Sequence, residues 1–360
     1  MKLDILLKVI LPLFLISLFS SCNGQEKVNT KTSNPVDPYF VATNDTVAKH
    51  GPREITRNLL QDKNGIFWFS TWEGIISYDG HFFTNHTLKE GLLQFHTFSI
   101  LEDNSGNIWF GTIGAGIYRY NAGRLDEQGN KFTHFETKDG IADDMVLCFF
   151  QDKSGIIWIG TDNGISCYDG KTFRNFSTKD GLSGHSINSI IQDKTGKIWI
   201  GTRYGENGDV CTFDGKQFTP FDNKEKLSFP NVRSIIEDQK GNIWIGGQNG
   251  LYCFNTQFSE PSLNNNVSKD FIGYLFEDSK GIIWISAGER NSQNMMLYRY
   301  DQNLAAKDEN CMQLIHKENG QVFGIMEDKS GNIWFGTQRG ACRYDERLIE
   351  GLGRFNCFSE

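Results

Sequence analysis

One short sequence pattern recurs seven times along this chain of 360 residues. Each copy has an aspartate, two variable residues, a glycine and a further variable residue. A tryptophan between two Ile or Phe residues follows, and then Gly or Ser. Successive tryptophans of the pattern stand 40 to 50 residues apart. A repeat of this length is one supersecondary unit that must stack on its neighbours to bury its apolar surface. The pattern therefore predicts a fold built from seven stacked units.

Two columns of residues define the repeat. The tryptophans are Trp68, Trp109, Trp158, Trp199, Trp244, Trp284 and Trp334. The aspartates are Asp62, Asp103, Asp152, Asp193, Asp238, Asp278 and Asp328. Aspartate at the first position of a type I turn accepts backbone N–H groups, and glycine at the fourth position eases the exit from the turn. Each copy is therefore predicted as a β-hairpin with the tryptophan on its second strand, and both columns are interpreted as structural.

Each repeat also has the sequence for two further strands. A third strand ends in Tyr-Asp-Gly or a variant such as Phe213-Asp214-Gly215, and a fourth carries paired aromatics such as Phe173 and Phe176. On the second strand both faces are apolar, because side chains alternate between faces along a strand. A sheet packed on one side only would be polar on the other. We predict an all-β fold, a seven-bladed β-propeller with four antiparallel strands per blade, over residues 51–360.

Small side chains are expected where the innermost strands converge on the propeller axis. Four residues before the turn aspartates stand Asn58, Ser99, Cys148, Ser189, Ser234, Tyr274 and Gly324. Most of these are small, and Tyr274 is expected to plug the channel. The sequence leaves two possible ways of closing the ring. In the favoured one, Phe355 and Phe358 belong to the outer strand of blade seven; in the other, Tyr39–Val41 returns to complete that blade.

The N-terminus has the pattern of an export signal. An apolar run over residues 9–19 suits the core of a signal peptide and is too short to span a bilayer. Two serines precede Cys22 and a polar stretch follows it, which resembles a bacterial lipoprotein signal. We predict a lipoprotein signal peptide over residues 1–21, lipidation of Cys22 and a polar tether over residues 22–50. An ordinary secretory signal is the alternative. The expected location is the periplasm or cell surface, with the lipid anchor in the outer membrane.

Charge and cysteine usage narrow the range of partners. The formal net charge of −8 offers no basic surplus for phosphates, so nucleic acid is not an expected partner. Eight cysteines in an exported chain raise the question of disulfides, but no CxxC motif is present. Most of the cysteines are interpreted as small buried apolar residues. Neither a calcium loop nor a zinc-binding histidine pattern occurs, so no metal or cofactor is predicted.

The repeat resembles that of a known family. The segment Ile235–Gly246 and the linkers Lys89–Leu92 and Lys179–Leu182 resemble the two-component regulator propeller repeat. Propellers of that family are often the periplasmic sensors of hybrid histidine kinases, and the resemblance implies recognition of an extracellular ligand such as a glycan fragment. No transmembrane helix or kinase domain is expected after the propeller. The resemblance therefore implies sensing, and not signalling by this chain alone.

Antiparallel connectivity divides the loops between two faces. The turns between strands one and two, and between three and four, share the lower face with the repeated aspartates. Loops between strands two and three, and between blades, share the upper face, which is irregular in sequence. Functional residues tend to lie on such variable loops. The candidate ligand-binding residues are Trp72, Glu73, Arg203, Tyr204, Glu206, Glu289, Arg290, Gln338 and Arg339.

These side chains suit a sugar or another small ligand. Trp72 is the one tryptophan outside the repeat column, and its ring can stack on a sugar. The arginines suit forked hydrogen bonds to carboxylates or hydroxyls. The alternative is structural: Trp72 caps the edge of blade one and the arginines are only solvated.

The sequence favours a binding module over an enzyme. Paired acids such as Asp143 and Asp144, or Glu206 and Asp209, suit a glycosidase only at a defined separation, which sequence does not show. A propeller lyase would need a histidine base such as His185 beside a metal-binding carboxylate. The predicted function is an exported, lipid-anchored sensor-type propeller that binds a carbohydrate or other small ligand. The alternatives are a scaffold that docks a protein partner and, less favoured, a hydrolase or lyase.

Overall fold

Seven antiparallel sheets make up the part of the chain that the structure describes. In this computed structural model the described residues are 37–126, 128–203, 205, 209–221, 229–255, 262–268, 271–288, 295–305, 312–317, 321–345 and 354–358. Six sheets have four strands and one has five. The predicted seven-bladed β-propeller is therefore confirmed. None of the described helices is long and apolar enough to cross a membrane.

The strands of each blade follow one another from the axis outwards, except that β1 pairs outside β5. Blade one has β1 (Val47–Ala48), β2 (Thr56–Gln61), β3 (Phe67–Thr71), β4 (Gly74–Tyr78) and β5 (Phe83–Asn85). Blade two has β6 (Thr97–Glu102), β7 (Ile108–Thr112), β8 (Ile117–Tyr120) and β9 (Phe132–Phe135). Blade three has β10 (Val146–Gln151), β11 (Ile157–Thr161), β12 (Gly164–Tyr168) and β13 (Phe173–Phe176). Blade four has β14 (Ser186–Gln192), β15 (Ile198–Arg203), β16 (Val210–Phe213) and β17 (Phe218–Pro220).

The last three blades repeat this order. Blade five has β18 (Val232–Glu237), β19 (Asn242–Gly247), β20 (Gly250–Asn255) and β21 (Ser262–Ser268). Blade six has β22 (Phe271–Glu277), β23 (Ile282–Gly288), β24 (Met295–Asp301) and β25 (Met312–Lys317). Blade seven has β26 (Ile325–Glu327), β27 (Ile333–Thr337), β28 (Gly340–Asp345) and β29 (Arg354–Cys357). The described helices are single turns: α1 (His86–Lys89), α2 (Gln302–Ala305), and 3-10 turns at Thr137–Asp139 and Thr178–Asp180.

Every tryptophan of the repeat is buried between two blades. The exposed fractions of the seven indoles lie between 0% and 5%. Trp158 of blade three packs with Ile187 and Ile200 of blade four, and an equivalent cluster fills each of the seven interfaces. The last interface joins Trp334 of blade seven to Phe69 of blade one. Burial of about 200 Å² per indole contributes at most about 5 kcal/mol at each interface, so the tryptophan column holds the ring together.

The turn aspartate of each repeat is hydrogen-bonded to the tryptophan of the same repeat. In blade five, one carboxylate oxygen of Asp238 accepts the backbone N–H of Asn242 at 2.8 Å, and the other accepts the indole N–H of Trp244 at 2.9 Å. The Asp–Trp bond occurs in all seven blades at 2.8 to 3.0 Å. A buried indole N–H needs an acceptor. The two columns therefore recur together because one satisfies the other.

The Gly or Ser that ends the pattern lies where neighbouring blades approach most closely. A Cβ on Gly246 would stand 2.5 Å from Cγ2 of Ile272 in blade six, closer than real Cβ atoms come to other heavy atoms. Ser286 fits at the equivalent place in blade six, where its hydroxyl donates to the Val322 carbonyl of blade seven at 2.6 Å. A larger side chain at this position would push the blades apart.

The C-terminal strand completes blade seven. β29 pairs with β28, and a disulfide between Cys342 and Cys357 joins the two strands. This confirms the closure predicted from Phe355 and Phe358. The sequence predicted that most cysteines are buried thiols. This is wrong for Cys342, which forms a disulfide, and confirmed for Cys211 and Cys253, which are free and buried. The sequence alone did not indicate which cysteines pair.

The N-terminal segment lies against blade one and not in blade seven. The Val41 N–H donates to the Trp72 carbonyl at 3.0 Å, and β1 pairs with β5 at the outer edge of the blade. Residues 37–50 of the predicted tether therefore contact the propeller. The predicted signal peptide and Cys22 lie outside the described residues.

Candidate functional site

A cavity of about 440 Å³ follows the axis of the propeller. It is lined by the inner strands of all seven blades, including every residue that the sequence placed at the axis. Tyr274 of blade six, the expected plug, reaches blade one, where its hydroxyl lies 3.5 Å from Oδ1 of Asn58. Gly324 of blade seven leaves the room for this crossing, because a Cβ there would stand 2.4 Å from the same oxygen.

A bulge near the start of the inner strand in six of the blades adds a second ring of side chains to this cavity. In blades one to six the pairing with the second strand shifts by one residue, which leaves the residue at the shift unpaired. These residues, together with their counterpart in blade seven, form what we call the mouth ring: Arg57, Phe98, Leu147, Asn188, Arg233, Gly273 and Phe323. Inner strands begin on the upper face, so the mouth ring lies at the upper end of the cavity.

The mouth ring is absent from the sequence-based candidates for a physical reason. Its members stand five residues before the turn aspartates, next to the residues assigned to the axis. Strict alternation along a strand would direct them away from the axis. The bulge breaks that alternation and turns both residues towards the cavity. One sequence feature could have identified these residues. The position five residues before each turn aspartate holds different residue types in the seven copies, although the turn itself keeps the same aspartate and glycine.

Arg57 gives the mouth ring its electrostatic character. Its guanidinium carbon lies 4.3 Å from the centre of the Phe98 ring and 4.4 Å from that of Phe323, so aromatic rings from the two neighbouring blades flank it. Burial, with a smaller contribution from the charge of Arg233, lowers the pKa of Arg57 to about 9. No aspartate or glutamate occurs among the described residues that line the cavity. Two cationic side chains therefore share a cavity whose described lining lacks an acidic side chain.

Trp72 lies in an aromatic group further out on the upper face. The centre of its indole is 5.6 Å from that of the Tyr39 ring and 5.5 Å from that of the His96 ring. Tyr39 is 60% exposed, Trp72 is half-buried, and His96 is buried with its Nδ1 on the carboxylate of Asp37. Tyr39 thus covers part of the indole and is the most exposed ring of the group. The sequence suggested Tyr39 only for ring closure.

Glu73 follows Trp72 in sequence but occupies a different cavity. This second cavity, of about 270 Å³, lies between residues 43–53 and blade one. The Glu73 carboxylate accepts the backbone N–H of Arg53 at 3.0 Å, and burial raises its pKa. The structure therefore separates the two predicted residues of this loop.

The remaining candidates that the structure describes lie in different blades on the upper face. Arg203 is half-buried at the end of β15 in blade four, and Gln338 and Arg339 form the turn between β27 and β28 in blade seven. None of these three lines the central cavity. The other candidates, which are Tyr204, Glu206, Glu289 and Arg290, lie outside the described residues. The structure thus does not gather the described candidates into one pocket.

The acids and histidines considered for catalysis hold loops in place. The carboxylate of Asp209 accepts the backbone N–H groups of Gly205 and Asn231, each at 2.6 Å, and burial raises its pKa. Nδ1 of His185 lies 2.9 Å from the carbonyl oxygen of Asp162. Among the residues that the structure describes, no three His, Cys, Asp or Glu side chains are close enough to hold a metal ion.

Segments of five blades match a known repeat family, the two component regulator propeller. The matched residues are 95–114, 140–163, 181–204, 226–249 and 317–339. They cover the inner two strands, or parts of them, in blades two, three, four, five and seven. No curated protein matches the chain.

Solved structures resemble the chain at low sequence identity. One is an extracellular domain from B. thetaiotaomicron assigned to a hybrid two component system; it is 24% identical, with a TM-score of 0.63, over 82% of this chain and 39% of that one. Another, assigned to a one component system of the same organism, is 21% identical, with a TM-score of 0.64, over 83% and 39%. Virginiamycin B lyase from Staphylococcus aureus, solved with Quinupristin, is 13% identical, with a TM-score of 0.59, over 82% and 97%.

These similarities establish the architecture. The chain spans 39% of the length of each of the two B. thetaiotaomicron domains, so it corresponds to one part of them. The lyase shares the propeller at an identity that shows the fold alone. The family assignment rests instead on the five matched segments and on the seven copies of the pattern in the sequence. The chain is therefore a seven-bladed propeller in which five blades carry segments that match the two-component regulator propeller repeat.

Proposed function

We propose that the chain is an exported, sensor-type propeller that binds a small extracellular ligand, a glycan in the first instance, on its upper face. The ligand enters at the mouth ring, and the aromatic group of Tyr39 and Trp72 extends the binding surface outwards. The chain acts through occupancy of this site.

One observation carries this proposal: the repeats differ in residue type where they meet the upper end of the cavity. The lower-face turns keep the same aspartate in all seven copies, and the blade interfaces keep the same tryptophan. At the mouth ring the seven equivalent positions hold five residue types, from Gly to Arg and Phe. Seven equivalent positions with only a structural role could all hold the same residue. A site that binds one asymmetric ligand needs different side chains around the ring.

Three further observations support a sensor outside the cytoplasm. The segment over residues 1–22 has the pattern of an export signal with a cysteine at its end. The disulfide between Cys342 and Cys357 suits an oxidising compartment. The two B. thetaiotaomicron structures that share this fold are extracellular domains assigned to signalling systems.

The shape and lining of the cavity suit a glycan. A volume of about 440 Å³ falls within the range of about 300 to 1,000 Å³ that small-molecule sites occupy. Phe98 and Phe323 stand at the mouth ring, and Tyr39 is exposed beyond it. Aromatic faces of this kind can stack on the C–H face of a sugar, while the polar side chains of the mouth ring can bind hydroxyls.

A glycan array tests the proposal directly. The full chain, purified in detergent, is compared with Phe98→Ala and Trp72→Ala variants on neutral and acidic oligosaccharides. Phe82→Ala is the matched control, because Phe82 is 45% exposed on a lower-face turn. Retention of binding by Phe82→Ala and its loss in Phe98→Ala support the upper site. Absence of glycan binding, or equal binding by all variants, would refute it.

The export and anchor proposals have a separate test. Cell fractionation of the unmodified chain should find it with the outer membrane, and Cys22→Ser should abolish labelling of the protein by a palmitate analogue. An unmodified chain that appears in the cytoplasm would contradict export. An exported chain without the label would leave the ordinary secretory signal.

A further inference from the structure

The two arginines of the mouth ring face one cavity from blades that are far apart in the ring. Arg57 stands on the bulge of β2 in blade one, and Arg233 stands on the bulge of β18 in blade five. Blades six and seven separate them on one side and blades two, three and four on the other. Both line the cavity, and the charge of Arg233 contributes to lowering the pKa of Arg57. A ligand in the cavity can therefore contact both.

The guanidinium of Arg57 is oriented by its neighbours. The rings of Phe98 and Phe323 lie 4.3 and 4.4 Å from its central carbon, which makes them cation–π partners. In the described part of the chain no residue accepts a hydrogen bond from this guanidinium, and no carboxylate pairs with it. Rings that pack on a planar group leave its N–H donors, which lie in the plane, for a further partner.

The charges around the cavity call for an anion. Burial of the Arg57 guanidinium without a counter-charge is unfavourable, and repulsion from the charge of Arg233 adds to this cost. The other titratable residues that line the cavity are Tyr274 and Cys148, and burial raises the pKa of both, to about 12 for the thiol. Both are therefore neutral near pH 7 and supply no negative charge. Among the described residues that line the cavity, none supplies the negative charge, so we assign it to a ligand.

We propose that the mouth ring binds the carboxylate of an acidic sugar, a hexuronate unit of a glycan, through Arg57 and Arg233. This deepens the proposed function and rests on it. A carboxylate is planar and accepts two parallel N–H bonds from one guanidinium, which suits an arginine oriented between two rings. Phe98 and Leu147, which are only partly buried, supply the apolar surface for the sugar ring, and Asn188 lies between the arginine-bearing blades as a polar member of the ring.

Calorimetric titration of the full chain in detergent tests this assignment. The probes are digalacturonate, a glucuronate-containing disaccharide, and the neutral disaccharides of the same linkages. We expect a uronate to bind at least about 10-fold more tightly than its neutral counterpart, because each forked charge pair adds to the affinity. Added NaCl should weaken binding of the uronate and leave binding of the neutral sugar unchanged.

Substitutions of the two arginines test whether their charge is needed for uronate binding while the propeller stays folded. Arg57→Gln and Arg233→Gln should each reduce uronate affinity by about 10- to 100-fold, and Arg57→Lys, which keeps the charge without the planar fork, should lose less. Arg124→Gln is the matched control, because Arg124 is exposed between β8 and β9 on the lower face. Urea unfolding of every variant verifies that the propeller is folded.

The outcomes distinguish this assignment from the broader proposal. Equal affinity for uronate and neutral sugars, or full uronate binding by Arg57→Gln, overturns the carboxylate site while ligand binding on the upper face stands. Failure of every disaccharide to bind, together with a negative glycan array, overturns both. Loss of uronate binding in Arg124→Gln also overturns the assignment, since it would move the anion site to the lower face.

Discussion

The hydrogen bond between the turn aspartate and the repeat tryptophan predicts a measurable coupling between the two residues. Blade five offers the best test, since Asp238 and Trp244 are 1% and 2% exposed. The experiment is a double-mutant cycle of Asp238→Ala, Trp244→Phe and the combined variant. Phenylalanine keeps an aromatic ring between the blades and removes the indole N–H.

The contacts of Asp238 set the expected magnitudes. Its carboxylate accepts the backbone and side-chain N–H groups of Asn242, each at 2.8 Å, and the indole N–H of Trp244 at 2.9 Å. Hydrogen bonds to a charged group contribute about 1.5 to 3 kcal/mol each, part of which offsets desolvation of the carboxylate. We expect a loss of about 4 kcal/mol for Asp238→Ala and about 2 kcal/mol for Trp244→Phe.

The combined variant should lose less than the sum of these two values. Once Asp238 is alanine, the indole N–H is buried without its acceptor, and replacing Trp244 removes that penalty. The coupling should therefore be about 1.5 kcal/mol. Urea unfolding followed by circular dichroism and by fluorescence measures it, with coincidence of the two signals as the test of a single transition. Asp214→Ala, at an exposed turn, should leave the midpoint near that of the unmodified chain. Additivity within about 0.5 kcal/mol would refute the explanation of the paired columns.

Three further perturbations have defined outcomes. Uronate affinity should fall as the pH rises through about 9, because Arg57 loses its charge there while Tyr274, whose pKa is raised, keeps its proton; titration calorimetry from pH 7 to 10 measures this, and constant affinity would contradict it. Reduction of the disulfide between Cys342 and Cys357, 15 residues apart, should lower the free energy of unfolding by about 3 kcal/mol; an unchanged urea midpoint under reductant would contradict a stabilising role. Gly246→Val should cost about 2 to 3 kcal/mol through the contact with the next blade, and a midpoint equal to that of the unmodified chain would show that the blades adjust freely.

The architecture was predictable because its causes are local and repeated. A turn that begins with Asp238 and a strand that carries Trp244 can be identified within one copy, and seven copies fix the number of blades. The disulfide was not predictable, because pairing of Cys342 with Cys357 depends on the register of two strands joined by a long connection. The role of the segment at Tyr39 was not predictable either, since its contacts are with a loop distant in sequence.

The sequence pointed to the upper face, which carries the proposed site, but not to the mouth ring at its centre. Loop connectivity pointed to the upper face, and Trp72 does lie there. Arg57 was overlooked because one unpaired residue in the inner strand changes the direction of its side chain, and a bulge has no sequence signature of its own. The described candidates from the irregular loops lie outside the central cavity, whereas six of the seven mouth-ring residues belong to inner strands.

Completion of blade seven by the last strand has a consequence for synthesis of the protein. All four strands of that blade come from the C-terminal end, and Phe358 stacks on Trp334 at a centroid distance of 5.0 Å beside the seam with blade one. The first six blades emerge from the ribosome before the ring can shut, so a nascent chain exposes two unmatched apolar edges until β29 has emerged. A premature stop that removes only β29 would leave that seam open, and the truncated product would be prone to associate edge to edge with other copies.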